Sequence, residues 1–227
     1  MNCIDVLGIL LDLHAEIEEC LVFEPNQIPK AQDRIDAQAT CLKAIEKGLH
    51  IRNELSLPFW DAVLISCLAQ GPEVFPLLTQ ASFHNSPPRR CASIGRANWQ
   101  DMLSSFCRGV LPGGIVALNS RVCVSTQETK HIPMLDFHCP SSESNQELAT
   151  AIAKMLDPHG GFLLSSGNSY HFYGKSLIGE NELNRFLGRA LLLAPIIDRA
   201  WIGHQLIEGS CALRIFGGCE PSLMTEY

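Results

Sequence analysis

No apolar run in this 227-residue chain is long enough to cross a membrane. The longest uninterrupted one, residues 190–197, falls far short of the roughly 20 residues a spanning helix needs. Basic charge is scarce as well: 17 Lys and Arg stand against 24 Asp and Glu, a net charge of −7. That sign excludes holding nucleic acid by bulk electrostatics, so any phosphate contact must be local. The first residues lack a basic leader and place Asp5 and Asp12 in their apolar run, which argues against a signal peptide. There is no HxH or HExxH signature, no internal repeat and no low-complexity tract. Ten cysteines are present, yet none forms a CxxC pair or a zinc-finger spacing. Cys20, Cys41, Cys67, Cys107 and Cys123 lie in apolar surroundings, where reduced, buried thiols are expected. With 46% hydrophobic and 18% charged residues, the chain reads as a globular, soluble, cytoplasmic protein with no membrane partner.

What is present is ordered in two parts. Val6, Leu10, Leu13, Ile17 and Leu21 recur at helical spacing, which predicts one long helix stopped at Glu24-Pro25-Asn26. Ile35, Ala39, Leu42, Ile45 and Leu49 predict a second helix, Pro58 opens a third that ends near Gly71, and Pro72 or Pro76 opens a fourth. The segment Asn85-Ser86-Pro87-Pro88-Arg89-Arg90 breaks the pattern and predicts a boundary. The expected organisation is a helical region over 1–85 and an α+β core with a mixed sheet over 95–227. In that core, helices are predicted over 98–108, 144–156 and 180–193. Strands are predicted over 114–124, 132–138, 161–166, 170–173 and 212–216. Arg89, Arg90 and Arg96 form the only short basic cluster, read as a solvated linker ahead of a phosphate contact.

Three pieces of the second part bear chemistry. In His131-Ile132-Pro133-Met134-Leu135-Asp136-Phe137-His138, a strand would put Asp136 and His138 on one face. A carboxylate among large apolar residues needs a partner or a metal, or else it caps the loop that follows. In Ser165-Ser166-Gly167-Asn168-Ser169-Tyr170-His171, Ser169 and His171 share a face beside a small-residue turn. That suits a phosphate cradle, and equally an ordinary hairpin with a surface histidine. In Ile197-Asp198 followed by Leu213-Arg214-Ile215, an arginine between aliphatics either pairs with a carboxylate or meets a ligand phosphate.

In this order the pieces resemble the three motifs of the archaeo-eukaryotic primase superfamily, over about residues 115–216. The most specific match is Ser166-Gly167-Asn168-Ser169-Tyr170-His171, and the next is Ile197-Asp198 before Leu213-Arg214-Ile215. The resemblance implies a primase-polymerase-like, RRM-like core that acts on nucleoside triphosphates with a divalent metal, magnesium or manganese. It implies that Asp136 and Asp198 hold the metal, and that Ser169, His171, Lys175 and Arg214 contact the nucleotide. Nucleic acid is an implied partner, and residues 1–85, which the resemblance leaves uncovered, offer a place for a protein partner.

One position departs from the pattern. His138 stands where the family has a second carboxylate, so the site would use one ion or a softer one, or bind nucleotide without polymerising. Glu128 or Glu143 could supply the missing acid. Two other readings follow: a catalytically inactive module that binds nucleotide or nucleic acid, and a metallohydrolase using His131, Asp136, His138 and His171.

Overall fold

A computed structural model describes residues 1–26, 39–68, 70–82, 87–218 and 221–227. These fall into two compact units, one made of Met1–Pro25 with Pro88–Tyr227 and the other of Asn26–Pro87. The second division, between Pro87 and Pro88, falls within the segment 85–90. However, the first 25 residues belong with the later part of the chain, so the helical unit is an insertion and not an N-terminal region.

The long first helix predicted from the stripe is two elements. Helix α1 (Cys3–Leu13) is opened by a capping box of Asn2 and Asp5, and strand β1 follows at Ile17–Glu24. The His14 amide closes the helix on the Leu10 carbonyl, and the Arg96 guanidinium takes the Leu11 and His14 carbonyls. Ile17 and Leu21 fit either period. Strand pairing on both edges of β1 decides the outcome, because tertiary hydrogen bonding outweighs local periodicity.

In the inserted unit, α2 (Ala39–Leu55), α3 (Phe59–Cys67) and α4 (Phe75–Ser82) follow one another, with a 3-10 turn at Pro72–Val74. The part of the second predicted helix before residue 39 lies outside the described residues. Gly48 lets α2 meet α3 at backbone distance, since a Cβ there would sit 2.8 Å from the Val63 Cα. Ser66 donates to the Ala44 carbonyl at 2.6 Å across the same contact. Cys41, Ala44, Ile45, Val63, Cys67, Val74 and Leu77 make its small core.

The larger unit is α+β. It contains β2 (Arg90–Gly95), α5 (Trp99–Arg108), β3 (Val116–Val124), β4 (Thr129–His131), β5 (Met134–Asp136) and α6 (Glu143–Leu156). After these come β6 (Gly161–Ser165), β7 (Tyr170–Gly174), α7 (Glu180–Leu191), α8 (Arg199–Glu208), β8 (Ala212–Phe216) and β9 (Ser222–Glu226). One sheet runs β2-β1-β3-β4 with β8 also on β3, and the other runs β5-β7-β6-β9. Every pairing of these strands is antiparallel, where a mixed sheet was expected. The reason is the crossover: α6 carries the chain from β5 to β6 in the same direction, and β7 then slots between them. The parallel neighbours are thereby separated, as in split β-α-β units.

Ser120 joins the pieces that share one edge of β3. Strand β8 pairs with residues before it and β4 with residues after it. Its hydroxyl accepts from the Cys211 amide at 2.9 Å and meets His131 Nδ1 at 3.0 Å, all three residues being buried. Burial lowers the His131 pKa, so the ring is held neutral as a strand-junction partner. Ser120→Ala is expected to cost about 1–3 kcal/mol by orphaning these groups. A thermal melt checks this, and an unchanged midpoint would show that the junction does not depend on the hydroxyl.

Of the cysteines read as buried, Cys20, Cys41 and Cys67 are buried, whereas Cys107 and Cys123 are half-buried. Burial pushes the thiols of Cys3, Cys20 and Cys211 up to about 12, well away from the reactive thiolate form. Among the described residues, no helix is long and apolar enough to cross a membrane.

Candidate functional site

The register of the four-stranded sheet sorts its side chains onto two faces. Asp136 lies opposite His171, and Leu164 lies opposite the same histidine from the other side. Alternation therefore places Asp136, His171 and Tyr173 on one face and Leu135, Phe172 and Tyr170 on the other. The second face is sealed: Tyr227 stacks on Phe172 at 6.1 Å, and the Tyr170 hydroxyl donates to the Ser142 carbonyl at the start of α6.

The first face carries the polar row. Beyond β5 the chain stays extended, Phe137 bridges Ile197, and the Asp198 amide donates to the Asp136 carbonyl at 2.9 Å. Asp198, Asp136 and His171 thus stand side by side on three neighbouring segments. Cross-strand neighbours of this kind have Cβ atoms about 4.5–5.5 Å apart. The next row follows by the same register: the His138 amide donates to the Ile196 carbonyl, and the Phe137 amide to the Tyr170 carbonyl, which sets His138 beside Ser169.

Each side chain has a defined state. Asp198 is the N-cap of α8, its Oδ1 accepting from the Ala200 and Trp201 amides at 2.8 and 3.0 Å. Its other carboxylate oxygen has no hydrogen bond among the described residues. Asp136 keeps 30% of its side chain exposed, so one side of it is open to solvent. Burial first, then the neighbouring Asp198 charge, push its pKa up to about 7, with Arg214 opposing. His171 Nε2 lies 3.7 Å from Asp136 Oδ1, and burial together with Arg214 brings the imidazole down to about 3. The ring is therefore neutral at physiological pH, and its buried Nδ1 has no partner within the described residues.

Arg214 reaches this face from β8. It donates to the Ser166 carbonyl at 2.8 Å, while its buried Nε has no partner among the described residues. Ser169 spends its hydroxyl on the Phe137 carbonyl at 2.6 Å, locking the hairpin turn against the end of β5.

Asp136, Asp198, His171 and Arg214 are thus brought together, with His138 and Ser169 one row along. Lys175 is not. It lies four residues past His171, about 13 Å along an extended chain, and pairs with Glu226 at 3.0 Å. Neither acid considered as a replacement joins the rows: Glu128 pairs with Lys130 at 3.2 Å in the β3–β4 turn, and Glu143 opens α6. His131 belongs to the Ser120 junction, which separates it from Asp136 and removes it from the metallohydrolase set. The arginines of the basic cluster are also partnered within the chain. Arg89 and Arg90 flank the buried Glu24 at 3.3 and 3.7 Å, and Arg90 also covers the Phe106 ring. Sequence reading overlooked α8 as an element, although Asp198 at its start carries an ordinary N-cap signal.

Among the described residues, no group of three or more His, Cys, Asp or Glu side chains is arranged to hold a metal ion. The two carboxylates fit a smaller demand. A hard divalent cation is commonly held by one or two protein carboxylates, with water and phosphate oxygens completing its shell.

The site is thus an acid row on an antiparallel sheet of an α+β unit, with an arginine arriving from a second sheet. A model of the archaeo-eukaryotic primase 1D-like family matches residues 98–218, just over half of the chain, and the chain belongs to that family. No curated protein and no solved structure matches it.

Proposed function

We propose that the Asp136 face binds a nucleoside triphosphate together with one divalent cation and supports primase-type nucleotidyl transfer. The observation that carries this reading is the row Asp198, Asp136, His171 on three adjacent segments, with Arg214 closing on it. Two carboxylates this close repel each other unless a cation lies between them, and that repulsion contributes to the raised Asp136 pKa. Asp136 and the uncommitted oxygen of Asp198 would hold the ion, which neutralises charge developing on the transferred phosphoryl group.

The chain's own groups do the rest. The Arg214 guanidinium, aimed by the Ser166 carbonyl, presents its remaining donors to a phosphate oxygen. Neutral His171 offers an N–H to a phosphate oxygen without adding a full charge to the site. The Ser169 bond to Phe137 holds the turn that presents both.

A second reading, a module that binds nucleotide without turnover, is favoured by His138. A histidine in the row beside Asp136 brings no negative charge to offset the repulsion between two ions. Calorimetry with ATP and GTP, in Mg²⁺ and then Mn²⁺, followed by labelled-nucleotide incorporation, separates the two. Cation-dependent binding with incorporation supports transfer, and binding alone supports the module. No affinity for either nucleotide under either ion would sink both.

A further inference from the structure

A cavity of about 280 Å³ opens where α6 ends and α7 passes the strand ends remote from the Ser169 turn. Its floor is Asp157, only 4% exposed, the residue at which α6 stops. The carboxylate is held from two sides: Oδ1 accepts from the His159 amide at 3.1 Å and Oδ2 from the Ser176 hydroxyl at 3.3 Å. Gly174 makes room for it, since a Cβ at that position would collide with Oδ2. A carboxylate has about four lone-pair sites, so capacity remains for a ligand donor.

The rim is basic. Arg185 and Arg189 sit one turn apart on α7, line the same cavity and are exposed. Neither has an ion pair or hydrogen-bond partner among the described residues. Glu182, the acid beside them, turns its Oε2 to the Gly179 amide at 2.8 Å. Phe186 supplies an apolar wall. In a chain of net charge −7, two unpartnered arginines over a buried acceptor form a site with a cationic mouth and an anionic floor.

The geometry points to a binding site for a small phosphate monoester carrying hydroxyl groups, its phosphate on Arg185 and Arg189 and a hydroxyl on Asp157. Two guanidinium groups match a dianionic phosphate, whereas a single carboxylate would leave one of them uncompensated. The cavity lies at the lower end of the roughly 300–1,000 Å³ typical of ligand sites, which selects a compact ligand over a dinucleotide.

The test is calorimetric titration of the full chain with ribose 5-phosphate, with ribose and inorganic phosphate as comparisons. Ribose 5-phosphate should bind saturably and at least tenfold more tightly than ribose. The double variant Arg185→Gln/Arg189→Gln, which changes only exposed side chains, should lose at least tenfold, while Asp136→Ala leaves this binding unchanged. Asp157→Asn, which keeps the shape of the floor, should narrow the preference for ribose 5-phosphate over inorganic phosphate. Absence of saturable binding, or binding indifferent to the double variant, overturns the proposal. So does a result in which the arginine changes weaken only a single-stranded oligonucleotide, because the rim would then serve a nucleic-acid backbone.

Discussion

Asp136→Ala is expected to lower the Mn²⁺-dependent affinity for ATP by about a hundredfold or more, and to leave the fold intact. The first half follows from charge. A triphosphate approaching Asp198 and Asp136 is repelled unless a cation intervenes, and Asp136 is the partly exposed carboxylate with no capping duty. Losing a ligand of this kind exceeds the 10–100-fold typical of losing a supporting contact. The second half follows from position, since Asp136 is partly exposed at the end of β5 and, among the described residues, its side chain accepts no hydrogen bond that the backbone fold depends on. The sign reverses with EDTA present: without the ion, removing a negative group should leave ATP binding no weaker than in the wild type. Asp198→Asn is the matching variant. It keeps an oxygen for the α8 amides, so it tests the charge without the loss of about 1 kcal/mol that follows removal of a helix cap. Equal ATP binding by wild type and both variants in Mn²⁺ would remove the carboxylate row from the proposed mechanism.

The same pair predicts opposite pH profiles for two other variants. In the folded chain Asp136 titrates at about 7 and His171 at about 3, against ordinary values of 3.8 and 6.5. Between pH 4 and 6.5 the folded pair holds one proton, on Asp136, and the unfolded pair also holds one, on His171. Proton counts match, so stability from this pair is nearly flat there. In His171→Gln only the raised acid remains. Its stability should be greatest below pH 4 and decline as pH rises towards 7, because the folded state binds the extra proton. In Asp136→Asn only the depressed base remains, and stability should fall as pH drops from 6.5 towards 3. Each shift of about three pH units corresponds to roughly 2–4 kcal/mol after allowance for the exposed part of Asp136, or roughly 5–10 °C in Tm. Melts from pH 4 to 7.5 check this, and parallel profiles for both variants and the wild type would refute the shared-proton description.

The parts of the fold legible in the sequence were those whose local signals agree with their surroundings. The helices from residues 99 and 143 and the hairpin around Gly167-Asn168 each have caps or turn residues matching their period. Strand β1 was illegible because Ile17 and Leu21 satisfy a helical stripe as well as a strand, and only pairing with β2 and β3 decides between them. Strand β2 was hidden by Arg89 and Arg90, whose charges look solvated until the buried Glu24 is placed beneath them. At the site, the motifs picked out Asp136, His171, Asp198 and Arg214 as residues that the fold brings close together. The bond of Ser169 to the Phe137 carbonyl was not legible, because a hydroxyl that shapes a turn and one that meets phosphate look alike in sequence. Lys175 lies apart from the row because a spacing of four along an extended strand carries it away from His171, to a pairing with Glu226.

Strands β1 and β2 are direct neighbours, with Glu24 opposite Arg90 at the ends from which the inserted unit departs and to which it returns. From the standpoint of the sheet, the whole of Asn26–Pro87 is a hairpin loop of unusual length. Loop closure costs only about 0.6 kcal/mol per doubling of length, so this point tolerates growth and shrinkage of the chain alike. An Asn-Gly turn is the shortest link that would join the two strands in their present register.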